Sequence, residues 1–135
     1  MVQPHQLPLF KAKRLHPPPP KEFLLHVALA KAVRMSLASG WMWSHLPFGE
    51  RRDAVTAGRL KAMGVNGGLP DFMFVGPRGF AFIELKRPGG RLSDEQTAWM
   101  RQLAMAGAMY LCTDDVEDAL SFLRDLGIVR ARVSA

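Results

Sequence analysis

The chain has 135 residues, about one domain's worth, and can bury a core without a structural metal. Hydrophobic residues make up 48% and charged residues 22%, as in an ordinary globule, and the single cysteine, Cys112, excludes an internal disulfide and a cysteine-built zinc site. The formal charge of +6 gives a basic surface that attracts polyanions, nucleic acid first among them.

Residues 1–20 read as a basic, proline-rich tail. Lys11, Lys13 and Arg14 precede an unbroken run from Pro17 to Pro20, which favours an extended rod and cannot join a sheet. Pro4 and Pro8 interrupt any signal-peptide core, and no apolar run approaches the ~18 residues of a membrane span. With one unpaired cysteine, this reads as a cytoplasmic protein without membrane contact.

After the prolines, Leu25, Leu29, Ala32 and Val33 recur at helical spacing, and Gly40 supplies a stop. Trp41 to Leu46 reads as a short strand, broken by Pro47 and Gly49, and Arg51 to Met63 as a basic helix ended by Gly64. Residues 65–70 form a loop. Strands over Asp71–Val75 and Phe80–Lys86, joined by Gly76-Pro77-Arg78-Gly79, make a hairpin. Ser93 and Gln96 form a capping box that opens a helix burying Trp99, Leu103 and Met100 and stopping near Gly107. Met109 to Cys112 reads as a core strand with Cys112 an inert buried thiol. Thr113 or Asp114 then caps a last helix carrying Val116, Leu120, Leu123 and Leu126. Residues 21–129 form one α/β domain, a mixed central sheet flanked by helices, and 130–135 a short C-terminal tail.

The chemistry concentrates between Gly68 and Lys86. Strand residues alternate faces, so Glu84 and Lys86 point one way while Ile83 and Leu85 point into apolar packing. Asp71 starts the partner strand, so the hairpin can bring it beside Glu84. Two carboxylates at a sheet edge make an oxygen-rich site of the kind magnesium prefers, and manganese accepts the same donors. A bound magnesium polarises a phosphate oxygen and acidifies a water, and Lys86 can orient that water or offset developing charge. Asp71, Glu84 and Lys86 thus suffice in principle to hydrolyse a phosphodiester. The plain alternative is a turn aspartate and a solvated Glu–Lys pair.

Several stretches together narrow the choice. Pro70-Asp71, Glu84-Leu85-Lys86, the preceding Arg59-Leu60-Lys61-Ala62-Met63-Gly64-Val65 and the following Pro88-Gly89-Gly90-Arg91-Leu92-Ser93, with Gln96 and Trp99, resemble the VRR-NUC family, a branch of the PD-(D/E)XK nucleases. The resemblance extends from about Lys21 to Gly127. It implies a restriction-endonuclease-like core and a magnesium-dependent deoxyribonuclease without a small-molecule cofactor. Asp71 and Glu84 match metal ligands, the Leu85 carbonyl a further ligand, and Lys86 the catalytic lysine. Gln96 matches a glutamine that reaches into the site, a role compatible with its capping box. Glu22 resembles the acid of the family's first helix that completes the metal site; its alternative role is an acid favoured at a helix N-terminus. His26, four residues on, shares that face, and reads as a support to the site or a core residue.

Phe48 departs from the family, standing where a polar residue is usual, and either packs or stacks on a base. Arg51, Arg52, Arg59 and Lys61 form the strongest candidate DNA-contacting patch, with Arg78 and Arg91 as loop candidates; a solvated helix face is the alternative. Trp41, Trp43 and Trp99 read as core. Small standalone members of the family act on branched DNA as homodimers, so the resemblance implies an endonuclease of four-way junctions or other branched DNA. Flaps, nicks or plain duplex are alternative targets, and a catalytically silent DNA-binding module is the alternative of another class.

Overall fold

A computed structural model describes residues 21–49 and 53–131. The elements run α1 (Lys21–Ser36), β1 (Met42–His45), a 3-10 turn (Pro47–Gly49), α2 (Ala54–Ala62), β2 (Phe72–Gly76), β3 (Gly79–Leu85), α3 (Asp94–Met105), β4 (Met109–Thr113) and α4 (Val116–Asp125). The four strands form one sheet in the order β1-β2-β3-β4, and β1, β2 and β3 are successively antiparallel. β4 lies parallel to β3, which requires a crossover, here α3. This is the mixed sheet flanked by helices expected from the sequence.

One face of the sheet is the core. Phe72, Phe74, Ala81, Ile83 and Leu85 are fully or almost fully buried on it, packed with Leu29 and Val33 of α1 and Ala119, Leu120 and Leu123 of α4. Each large side chain there contributes about 1.5–3 kcal/mol. Trp41 is buried beside this core and its ring lies where a Cβ on Gly76 would stand, so glycine lets strand and indole meet. Beyond α4 the chain returns to the end of α1. Leu37 bridges Val129, Ala38 N–H donates to the Ile128 carbonyl at 2.8 Å, and Arg130 donates to the Ser36 and Met35 carbonyls.

The opposite face is covered less completely. Met42 is 77% and Phe80 51% exposed there, and Glu84 lies on it too, across from Cys112. Several expectations shift accordingly. Cys112 is exposed rather than buried, because β4 is an edge strand and Cys112 alternates with the core-facing Leu111 and Thr113. Trp99, Met100 and Leu103 of α3 are only half-buried, and Trp99 Nε1 donates to the Gly67 carbonyl at 3.0 Å. Trp41 is core, whereas Trp43 is half-buried against it. The N-cap of α4 is Asp115, whose side chain accepts from Glu117 N–H; Thr113 instead accepts from the Asp115 amide inside the turn. The helix expected over Arg51–Met63 spans Ala54–Ala62, capped by Asp53. Among the described residues no helix is long and apolar enough to cross a membrane.

Candidate active site

The hairpin register pairs Phe72 with Ile83, so the next pair outward is Asp71 and Glu84. Their side chains and backbones are interlocked. Asp71 N–H donates to Glu84 Oε2 at 3.1 Å, and Leu85 N–H donates to Asp71 Oδ2 at 2.8 Å. The Asp71 carbonyl accepts from Leu46 N–H at 2.6 Å and lies 2.8 Å from His45 Nδ1. A carbonyl can only accept, so that contact selects the His45 tautomer protonated on Nδ1. The loop leading to Pro70 is pinned against α3: Gly68 has φ +92°, and a Cβ there would stand 2.6 Å from the Glu95 carbonyl carbon.

Glu84 is 2% exposed, yet it is well supplied with donors. Gln96 Nε2 donates to its Oε1 at 2.8 Å, and Lys86 Nζ stands 3.4 Å from the same oxygen. Gln96 Oε1 accepts from Lys86 Nζ at 2.8 Å and from Ser93 N–H at 2.9 Å. Gln96 therefore completes the capping box of α3 and reaches the strand carboxylate with the same amide. Burial, then the charge of Asp71, push the Glu84 carboxyl up to about 7 against the pull of Lys86. Burial and the Glu84 charge also push up Tyr110 on the neighbouring strand, and the partly covered Cys112 thiol moves the same way, which disfavours its thiolate.

α1 brings two more groups to Asp71. The ligand atoms of Glu22, His26 and Asp71 lie within 4.8 Å of one another. His26 Nε2 is buried 3.3 Å from Asp71 Oδ2, close enough for an ion pair but without a well-aligned hydrogen bond. Burial opposes a charge on His26, but the direct contact with the Asp71 carboxylate, then the charges of Asp71, Glu22 and Glu84, outweigh it and raise its pKa. His26 also packs edge-on to His45 and Phe72, at 5.1 Å and 5.4 Å between ring centres. Two carboxylates and an imidazole nitrogen converging in this way are a donor set suited to a divalent cation.

Of the residues singled out from the sequence, Glu22, Asp71, Glu84, Leu85, Lys86 and Gln96 meet here. Leu85 touches Asp71 through its amide. Sequence reasoning gave His26 only a supporting or core role and left His45 out; the i, i+4 spacing from Glu22 was the available signal for His26. Arg59 and Lys61 are exposed on α2. Lys61 lines a cleft of about 590 Å³ with Phe48, Asn66, Gly67 and Glu95, one residue before Gln96. Arg78 sits in the β2–β3 turn, at the other end of the hairpin from Asp71, and Arg91 lies exposed before α3. Arg51 and Arg52 fall outside the described residues.

The VRR-NUC domain model matches residues 38–113, more than half of the chain. The chain belongs to the VRR-NUC family. Membership carries a nuclease function on DNA, and the matched stretch holds Asp71, Glu84, Lys86 and Gln96 in this VRR-NUC domain. The match is narrower than the resemblance from Lys21 to Gly127 and leaves out α1, with Glu22 and His26. No curated protein and no solved structure gives a significant match.

Proposed function

We propose that this VRR-NUC protein is a metal-dependent DNA endonuclease that cleaves branched DNA, four-way junctions above all, as a homodimer, with Asp71, Glu84, Lys86 and Gln96 at its centre. The observation that carries the reading is the buried Glu84 carboxylate, joined to Asp71 through the Asp71 amide and to Lys86 through Gln96. A binding module has no use for a carboxylate kept at such a cost, since burying an acid beside a second acid disfavours its ionisation. Functional sites retain such costs where chemistry needs them.

Glu22, Asp71, Glu84 and the Leu85 carbonyl would hold a divalent cation; judged by these oxygen donors alone the expected ion is magnesium, with manganese a substitute. When bound, it would polarise the scissile phosphate and acidify a water. The chain's own groups do the positioning. The interlocked amides fix the Asp71 and Glu84 carboxylates to the strand ends, so that little reorganisation remains when substrate arrives. Gln96 restrains the Lys86 ammonium, whose donors stabilise charge on the phosphate or orient the attacking water. Hydrolysis then adds water across one P–O bond, leaving a phosphate monoester on one side and a hydroxyl on the other. Arg59, Lys61, Arg51, Arg52, Arg78 and Arg91 contact the DNA backbone in this reading, and Phe48 stacks on a base beside Lys61.

The test is cleavage of labelled four-way junction, flap, fork and linear duplex by wild type and Glu84→Ala, with magnesium, manganese or chelator. Metal-dependent cutting of the junction, lost in Glu84→Ala, is expected. A folded wild type that binds DNA and cuts none of the four would leave a binding module in place of the enzyme. Sedimentation of the free protein tests the dimer.

A further inference from the structure

His26 gives the metal centre a character that carboxylates alone would not. We propose that His26 is a direct ligand of the bound cation, making this a mixed nitrogen–oxygen centre that holds a first-row transition dication in preference to magnesium. The inference deepens the reading above, since it rests on the same centre, and it concerns a residue outside the matched stretch 38–113.

Three observations carry it. The first is the state of His26 Nε2, which is buried beside Asp71 Oδ2 at ion-pair distance yet makes no well-aligned hydrogen bond. A buried ring nitrogen so placed is costly, and among the polar atoms of the described side chains this one stands out for it. A metal ion would satisfy it. The second is the distance to Asp71. Two donor atoms about 2.0–2.2 Å from one cation, on neighbouring vertices of an octahedron or tetrahedron, stand roughly 3.0–3.4 Å apart. His26 Nε2 and Asp71 Oδ2 are 3.3 Å apart and misaligned for a hydrogen bond, as two ligands of one ion would be. The third is convergence: Glu22, one helical turn before His26, brings a carboxylate to the same point from α1, while Asp71 arrives from the hairpin.

Ligand chemistry then decides the ion. Magnesium demands near-ideal octahedral oxygen coordination and retains its waters, whereas imidazole suits the transition metals. Replacing one oxygen donor by a ring nitrogen therefore weakens the case for magnesium and strengthens that for manganese and the metals after it.

The experiment uses the purified full chain without DNA, with manganese and magnesium as probes. Calorimetric titration is expected to show manganese bound at least about tenfold more tightly than magnesium. Pulsed EPR of the manganese-loaded protein is expected to show coupling to an imidazole nitrogen. His26→Gln should lose that coupling and most of the preference for manganese, and His45→Gln, which keeps His26, should retain the coupling. Manganese bound without nitrogen coupling, or His26→Gln weakening both metals equally, overturns the proposal. Because no DNA is present, the two readings separate: cleavage with no nitrogen coupling removes His26 alone, and coupling without cleavage of any DNA removes the nuclease reading alone.

Discussion

Gln96 Oε1 receives the Lys86 ammonium at 2.8 Å while the same side chain donates to Glu84, so one amide ties a lysine, an acid and a helix cap together. Gln96→Ala removes all three contacts. Its expected effect is a loss of about 1 kcal/mol of stability with the cap and a fall in cleavage of roughly a hundredfold, as Lys86 loses its restraint. Gln96→Glu separates the two roles. A glutamate keeps the capping box and the Lys86 contact but sets a carboxylate against Glu84. Thermal melts should show it more stable than Gln96→Ala, while single-turnover assays show it similarly slow. Wild-type turnover in Gln96→Ala would mean that Lys86 needs no such restraint.

Lys86→Ala is expected to lower cleavage by about a thousandfold with the fold intact, because the side chain lies at the rim and its neighbours keep Gln96 as a partner. Circular dichroism and a junction-cleavage assay check both halves. An unimpaired enzyme would remove the lysine from the mechanism.

Asp71 does structural service beside the chemical role proposed for it, so the choice of substitution matters. Asp71→Ala strands the Leu85 amide and should cost about 1–3 kcal/mol. Asp71→Asn retains an oxygen for that amide and should fold more stably, yet cut no better. Urea denaturation of the two variants, with their cleavage rates, tests whether stability and activity part company as expected.

Glu84 links stability to pH. Its folded value of about 7 lies above the ordinary 4.5, so ionising it is harder in the folded chain than in the unfolded one. In chelator, its contribution is fully present below about pH 4.5 and is lost as pH rises through 7, a difference of about 3 kcal/mol. Denaturation midpoints measured across this window should decline in wild type and lose that component in Glu84→Gln. Equal slopes would mean that Glu84 titrates normally.

Gly76→Ala tests the fold apart from the site. A Cβ there enters the Trp41 ring, and the expected cost is about 2 kcal/mol. A variant as stable as wild type would show that the indole can move aside.

The element order was legible because its signals are local: helical spacing from Leu25 to Val33, the Gly76–Gly79 turn, the Ser93 box. The Asp71–Glu84 pairing was legible for the same reason, since a tight turn sets the register and counting back from it puts the two residues opposite. What stayed hidden is tertiary. His26 meets Asp71 from a helix 45 positions away, and only the packing of α1 on the sheet decides that an imidazole stands there. Cys112 was misread because its apolar surroundings suggested a buried strand, whereas β4 lies at an edge and shows this residue to the thinly covered face. The half-buried apolar residues of α3 have the same cause.

The crossed amides of Asp71 and Leu85 have one more consequence. Each carboxylate is held by the backbone of the opposite strand, so the pair exists only when β2 and β3 are zipped in their native alignment. A slip of one residue would turn every side chain of the slipped strand over and scatter the acids to opposite faces. Assembly of the proposed centre is thereby conditional on a finished hairpin, so a chain caught part-way through folding would hold its two acids apart.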